Sequence, residues 1–244
     1  MKTEKILIAL FLIFMVISCE ENNPDYPLTQ KSPVYDGFSS NLNATVHCAY
    51  FINNLNGFAA GDGKIFKTND GGLTWKADSV GNVPFHSIYF INTQIGFAVG
   101  GTSSAHGGPG NIIYKTTDAG ETWSKKTIPD QWSEFHSVFF INENTGFVTG
   151  LGLQFKTMDG GETWEKFEFT YKGLMKKISF INSHLGFCAG LYGNIFKTSN
   201  QGDDWVKTNN ESDGHIYDFC FVNEKIGFAG GQKEIVKTTD GGET

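Results

Sequence analysis

Polar side chains able to bind or react recur at one register of this sequence, and they pose the first question about its chemistry. His47, His86, His136, Lys176 and Tyr217 each open an apolar run of similar pattern, so a fold that aligns those runs would gather them into one ring. Three histidines could hold a metal ion, because imidazole is a common ligand. Stacked sheets stand about 10 Å apart, however, and ligands must converge to roughly 2 Å from an ion, so no metal site is expected from residues on separate sheets. The column reads first as satisfied polar ends of inner strands, and second as a ring that meets a ligand at a channel mouth. Three loops extend the same surface: the Gly/Ser-rich insertion Gly100 to Gly110 with His106, the loop Pro129-Asp130-Gln131-Trp132, and Tyr171-Lys172-Gly173-Leu174. Trp132 belongs to no repeated motif and stands in a polar loop, where such an aromatic either contacts a ligand or packs locally.

Carboxylates are the other candidates. Glycoside hydrolysis needs two of them roughly 5 to 9.5 Å apart. Asp70, Asp118, Asp159 and Asp240 lie in turns, where capping occupies them, and nothing in the spacing pairs Glu134, Asp218 or Asp130. The Asp-Gly-Gly steps lack the ladder of acids and the closing Glu of a calcium loop. There is no Gly-x-Ser-x-Gly, phosphate loop, zinc spacing or dinucleotide fingerprint, so no catalytic residue and no cofactor is expected. Cys48, Cys188 and Cys220 fall inside predicted strands and read as small core hydrophobes.

The elements that position these residues form an internal repeat. Phe51-Ile52-Asn53 returns as Phe90-Ile91-Asn92, Phe140-Ile141-Asn142, Phe180-Ile181-Asn182 and Phe221-Val222-Asn223, spaced by 39, 50, 40 and 41 residues. Four residues after each Asn comes Gly-Phe, and each copy ends in a Lys-Thr turn. A period near 40 suits four short strands per unit. The first strand is apolar on both faces, as expected of a sheet covered on both sides. The reading is therefore all-β: a β-propeller of four-stranded antiparallel blades, with five copies visible over residues 41–244. In such a blade the Asn turns and the Lys-Thr turns share one end. The opposite end carries the variable loops, where binding residues gather.

The turn between the third and fourth strands reads Thr-x-Asp-x-Gly-x-Thr-Trp at Thr68, Asp70, Gly72 and Trp75, at Thr116, Asp118, Gly120 and Trp123, and at Thr157, Asp159, Gly161 and Trp164. Asp accepts hydrogen bonds from its own turn, Gly supplies a positive φ, and Trp buries a large face. Copy four substitutes Asn200 and Asp204 around Gly202 and Trp205, and Asn can still cap the turn. Copy five has Asp240 and Gly242 but stops one residue before its Trp, which suggests an incomplete copy; the alternative is that residues 26–40 close a five-bladed ring. This motif resembles the Asp-box, or BNR repeat, of sialidases, sortilins and photosystem II assembly factors. Over residues 45–244 the order of elements is most similar to the photosystem II stability/assembly factor family, which implies a propeller acting as an assembly chaperone. That family's arginine-rich patch has no counterpart here, because every one of the 19 basic residues is Lys. The same absence removes the three carboxylate-binding arginines that a resemblance to sialidases would require, since Lys cannot form the planar fork.

Composition and charge agree with a turn-rich, aromatic-packed protein: 30 Gly, 22 Phe and 5 Trp in 244 residues, only 18% of them charged. The net charge of −7 disfavours nucleic acid as a partner. At the N-terminus Lys2 and Lys5 precede an apolar run from Ile6 to Ile17, too short for an ordinary membrane span and suited to a signal peptide over residues 1–18. Val16-Ile17-Ser18-Cys19 resembles the bacterial lipobox, which implies acylation of Cys19 and a lipid-bilayer anchor in the bacterial envelope, at the outer membrane or cell surface. Residues 19–40 then form a polar tether. Together these readings predict a membrane-anchored, non-catalytic scaffold for a protein or glycan. The alternative is a polysaccharide-acting glycosidase whose catalytic part lies elsewhere.

Overall fold

The computed structural model describes residues 44–102, 110–126, 128, 134–167, 169, 173–208 and 213–243. The segments read as signal peptide (1–18) and tether (19–40), with Cys19, His106 and Trp132, lie outside the described residues. Those described form seventeen strands and no helix.

Copies one and two share a six-stranded sheet in the order β1 (Val46–Phe51), β2 (Gly57–Thr68), β3 (Lys76–Phe90), β4 (Gly96–Thr102), β5 (Gly110–Thr116) and β6 (Ser124–Lys126). Two separate four-stranded sheets were expected there. The difference arises because β2 and β3 each run through two strand positions. Gly63, at φ 71°, turns the chain inside β2, and Asp62 opposite Pro84 keeps the link within β3 hydrogen-bonded. Copy three is a four-stranded sheet of β7 (Phe135–Phe140), β8 (Gly146–Gly150), β9 (Gln154–Thr157) and β10 (Glu165–Phe167). Copy four repeats it with β11 (Met175–Phe180), β12 (Gly186–Gly190), β13 (Ile195–Thr198) and β14 (Val206–Lys207). Copy five contributes β15 (Ile216–Phe221), β16 (Gly227–Gly231) and β17 (Ile235–Thr238). All strand pairings among the described residues are antiparallel, with a bulge at the second residue of each copy's first strand.

Hydrogen bonds within the turns explain their residue types. Thr116 Oγ1 donates to Asp118 Oδ1 at 2.7 Å and accepts from Gly120 N at 2.9 Å, while Asp118 accepts from Thr122 N at 2.9 Å and Thr122 Oγ1 at 2.6 Å. The same set recurs around Asp70 and Asp159. Donation by the Thr hydroxyl, then by backbone N–H, holds all three carboxyls at about 2. Their native contribution is therefore present above the ordinary Asp range and lost as the pH falls from about 4 towards about 2. In copy four the polarity is reversed: Asn200 Nδ2 donates to Asp204 Oδ2 at 2.9 Å, while Asn200 Oδ1 still accepts from Asp204 N. The Asn turns lie at the same end, tied to these motifs by backbone bonds such as Ala119 N to Gln94 O and Gly160 N to Asn144 O, at 2.9 and 2.8 Å.

The core sits between copies. At each junction the Phe of Gly-Phe stacks on the first-strand Phe of the next copy: Phe58 on Phe90, Phe97 on Phe140, Phe147 on Phe180 and Phe187 on Phe221, with centroids 4.2, 4.4, 5.0 and 4.5 Å apart. The motif Trp closes the stack edge-on, as Trp123 does against Phe58 and Phe90. Cys188 is fully buried, and burial pushes the Cys48 thiol up to about 12, so these sulfurs are packing groups rather than thiolates.

The motif glycine is needed for space as well as for its backbone. A Cβ on Gly161, at φ 82°, would lie 2.5 Å from Phe97, whereas the preceding position already accepts Ala119 at φ 58° and Gln201 at φ 63° in other copies. Gly161→Ala should therefore cost about 3 kcal/mol or more and Gly160→Ala only about 1 kcal/mol in urea unfolding. The reversed turn makes a second expectation. Asn200→Asp alone sets two carboxylates together and should cost about 1 kcal/mol at low salt, while adding Asp204→Thr should restore stability in a double-mutant cycle.

Candidate binding face

At the end opposite the turns, the first strands open on the predicted polar column, and the structure brings most of it together. His86 and His136 stack with centroids 4.7 Å apart and planes 20° from parallel, and the His47 ring is 5.8 Å from that of His86. Such proximity was not expected from a sheet spacing of about 10 Å. The first strands lie much closer to one another than that mean spacing, as Tyr50–Tyr89 and Tyr89–Phe139 contacts at 5.3 and 5.0 Å also show. Even so, among the described residues no three His, Cys, Asp or Glu side chains are grouped to hold a metal.

Each charged member has a partner. Lys176 Nζ lies 3.3 Å from His136 Nδ1, and His136 Nε2 lies 3.0 Å from Glu134 Oε1. An ammonium only donates, so Nδ1 accepts and the Nε2 proton points at Glu134. His86 Nε2 faces the Gly101 carbonyl at 3.2 Å, and His47 Nε2 meets Asp62 Oδ1 at 2.8 Å. Lys177 and Asp218 pair at 3.3 Å across copies four and five. Asp62 also lines a groove of about 480 Å³ with Lys64, Ser79, Asn82 and Pro84.

Burial governs the protonation of this cluster. It lowers His86 to about 4, helped by the neighbouring His136, and it lowers His136 and Lys176 as well. Glu134 is held below the usual carboxylate range by the hydrogen bond from His136, and Asp62 by that from His47.

Sequence reasoning named Tyr217, which is 47% exposed, but missed its companions Tyr192 and His215. The Tyr192 ring meets His215 edge-on at 4.9 Å, and His215 lies 6.4 Å from Tyr217. Tyr192 is 64% exposed and sits at φ 57°, a conformation a bulky residue seldom adopts. Its signal was the Tyr-Gly pair at a hairpin tip, visible in one copy only.

No family model and no curated protein sequence matches the chain. Solved structures do match. An ancestral GH74 enzyme superposes with a TM-score of 0.69 at 15% identity, covering 82% of this chain and 31% of that one. The GH74 xyloglucanase from Xanthomonas campestris gives 0.58 at 10%, covering 77% of this chain and 36% of that one. YCF48 bound to a D1 peptide gives 0.44 at 15%, covering 81% and 92%, too loose a superposition to bear on function. The chain thus spans about a third of the length of the GH74 structures. Its four-stranded antiparallel sheets define the blades of an all-β propeller.

The histidine stack has a pH consequence. His86 is lowered to about 4 from an ordinary 6.5, so the unfolded chain binds the extra proton between those values. Stability from this site is complete above pH 6.5 and is lost as the pH falls towards about 4. Nuclear magnetic resonance titration should find the His86 imidazole still neutral at pH 5.5, and His86→Phe should flatten the acid limb of the stability curve.

Proposed function

We propose that this chain is a non-catalytic Asp-box propeller, held in the bacterial envelope by acylated Cys19, that captures a protein or glycan on the face bearing the histidine column. The observation that carries the reading is the Tyr192–His215–Tyr217 group, with both tyrosines exposed, at the same end of the copies as the neutral, hydrogen-bonded His86–His136 stack. Aromatic rings held partly in water offer contact area at low entropic cost, and strain at Tyr192 is the kind that persists where function requires it. The acids on this face favour binding over hydrolysis. A general acid works with a raised pKa, whereas Glu134 and Asp62 are held low by their histidines.

Tyr192→Ala with Tyr217→Ala should weaken capture on glycan and peptide arrays by about tenfold or more while leaving the unfolding midpoint in place. Unchanged capture would remove this face from the reading. Release of reducing ends from polysaccharide by the purified chain would overturn its non-catalytic character, and palmitate labelling that survives Cys19→Ala would overturn the anchor.

A further inference from the structure

The four junctions between copies follow one rule, and copy five presents its donor half. In each junction the leading copy supplies a Phe and a Lys; the following copy supplies a motif glycine against the Phe and an acid next to that glycine for the Lys. A Cβ on Gly120, Gly161, Gly202 or Gly242 would lie 2.4, 2.5, 2.6 or 2.7 Å from Phe58, Phe97, Phe147 or Phe187. Lys67, Lys115, Lys156 and Lys197 reach Glu121, Glu162, Asp203 and Glu243 at 2.5, 2.6, 2.5 and 2.5 Å.

Copy five keeps the donor geometry. Lys237 Nζ lies 5.8 Å from the Phe228 ring centroid, against 5.9, 5.7 and 5.4 Å in copies one to three, where the next copy is docked. Lys237 is exposed, and among the described residues no ion pair involves it. Phe228 is half-buried, whereas its four counterparts are at most 2% exposed. Ile235 is 61% exposed where the equivalent Ile65 and Ile113 are at 2% and 0%.

We propose that this face of copy five docks one kind of partner: a further blade of the same pattern, carrying glycine and then an acid in its Thr-x-Asp turn. Charge complementarity and continuity with the four existing junctions identify that occupant. A second copy of this chain docking through copy one does not satisfy the rule, because Leu73, 60% exposed, stands where the other copies carry the acid.

The test extends the chain with its own sequence. Residues 164–207 appended after Thr244 complete copy five and add a blade bearing Gly202 and Asp203 in the required places. Amide exchange at Ile235–Lys237 should slow at least tenfold on extension, measured against a chain extended only by residues 164–170, which supply copy five's own fourth strand and no further blade. Lys237→Glu, or Asp203→Lys in the appended blade only, should each reverse most of that protection, and the two together should restore it. An extension that leaves these amides exchanging as before, or protection indifferent to both charges, overturns the proposal. So does self-association of the unextended chain in sedimentation accompanied by the same protection, since that would show a blade without the acid to be sufficient.

Discussion

A phenylalanine ring laid against a glycine is the contact on which this molecule depends. Phe58, Phe97, Phe147 and Phe187 are buried to within 2% because the next copy places a residue without a side chain above each ring and another Phe beside it. Fully burying a Phe stabilises by about 2–3 kcal/mol, and the contact recurs at four junctions. The Lys–acid pairs beside them do something different. Their acids remain 55–71% exposed, and exposed pairs contribute about 0–1 kcal/mol each. Stability comes from the rings, while the charges discriminate among partners that could cover those rings.

That division explains what could be read from the sequence. The repeat, the strand pattern and the turn chemistry were legible because each is local: Asp118 and its donors span seven residues, Thr116 to Thr122, and the alternation of short strands and turns recurs with each period. The glycine was correctly given a positive φ. Its second duty, making room for a ring some 62 residues earlier in the case of Gly120 and Phe58, has no local signature. The Lys–acid ladder was hidden for the same reason, since Lys115 and Glu162 meet only after two sheets stack. The six-stranded first sheet was missed because four-stranded blades were expected from the period alone, whereas the chain stays paired through the short links at Gly63 and Asn82.

The opposite end was legible as a register but not as a geometry. His86 and His136 were correctly aligned, yet a mean sheet spacing overstated their separation, because first strands converge more closely than sheet centres do. Tyr192 and His215 escaped for another reason. A repeat argument notices what recurs, and these residues occur once. Function on a repetitive scaffold sits in departures from the repeat, which periodicity by itself sets aside.

The charge state of that face narrows how it can recognise anything. The chain carries a net −7, and a field of that sign would ordinarily steer cations and repel anions. Near the column, however, Glu134 is matched by Lys176 through His136, Asp218 by Lys177, and burial holds the stacked His86 and His136 rings neutral at physiological pH. Little net charge is left to attract a partner from a distance. On the proposed reading, recognition here would come from fit, ring contact and directed hydrogen bonds, which act after encounter and set the rate of release more than the rate of capture. A surface of that kind suits a partner held near it by other means, since confinement raises the effective concentration without any long-range attraction.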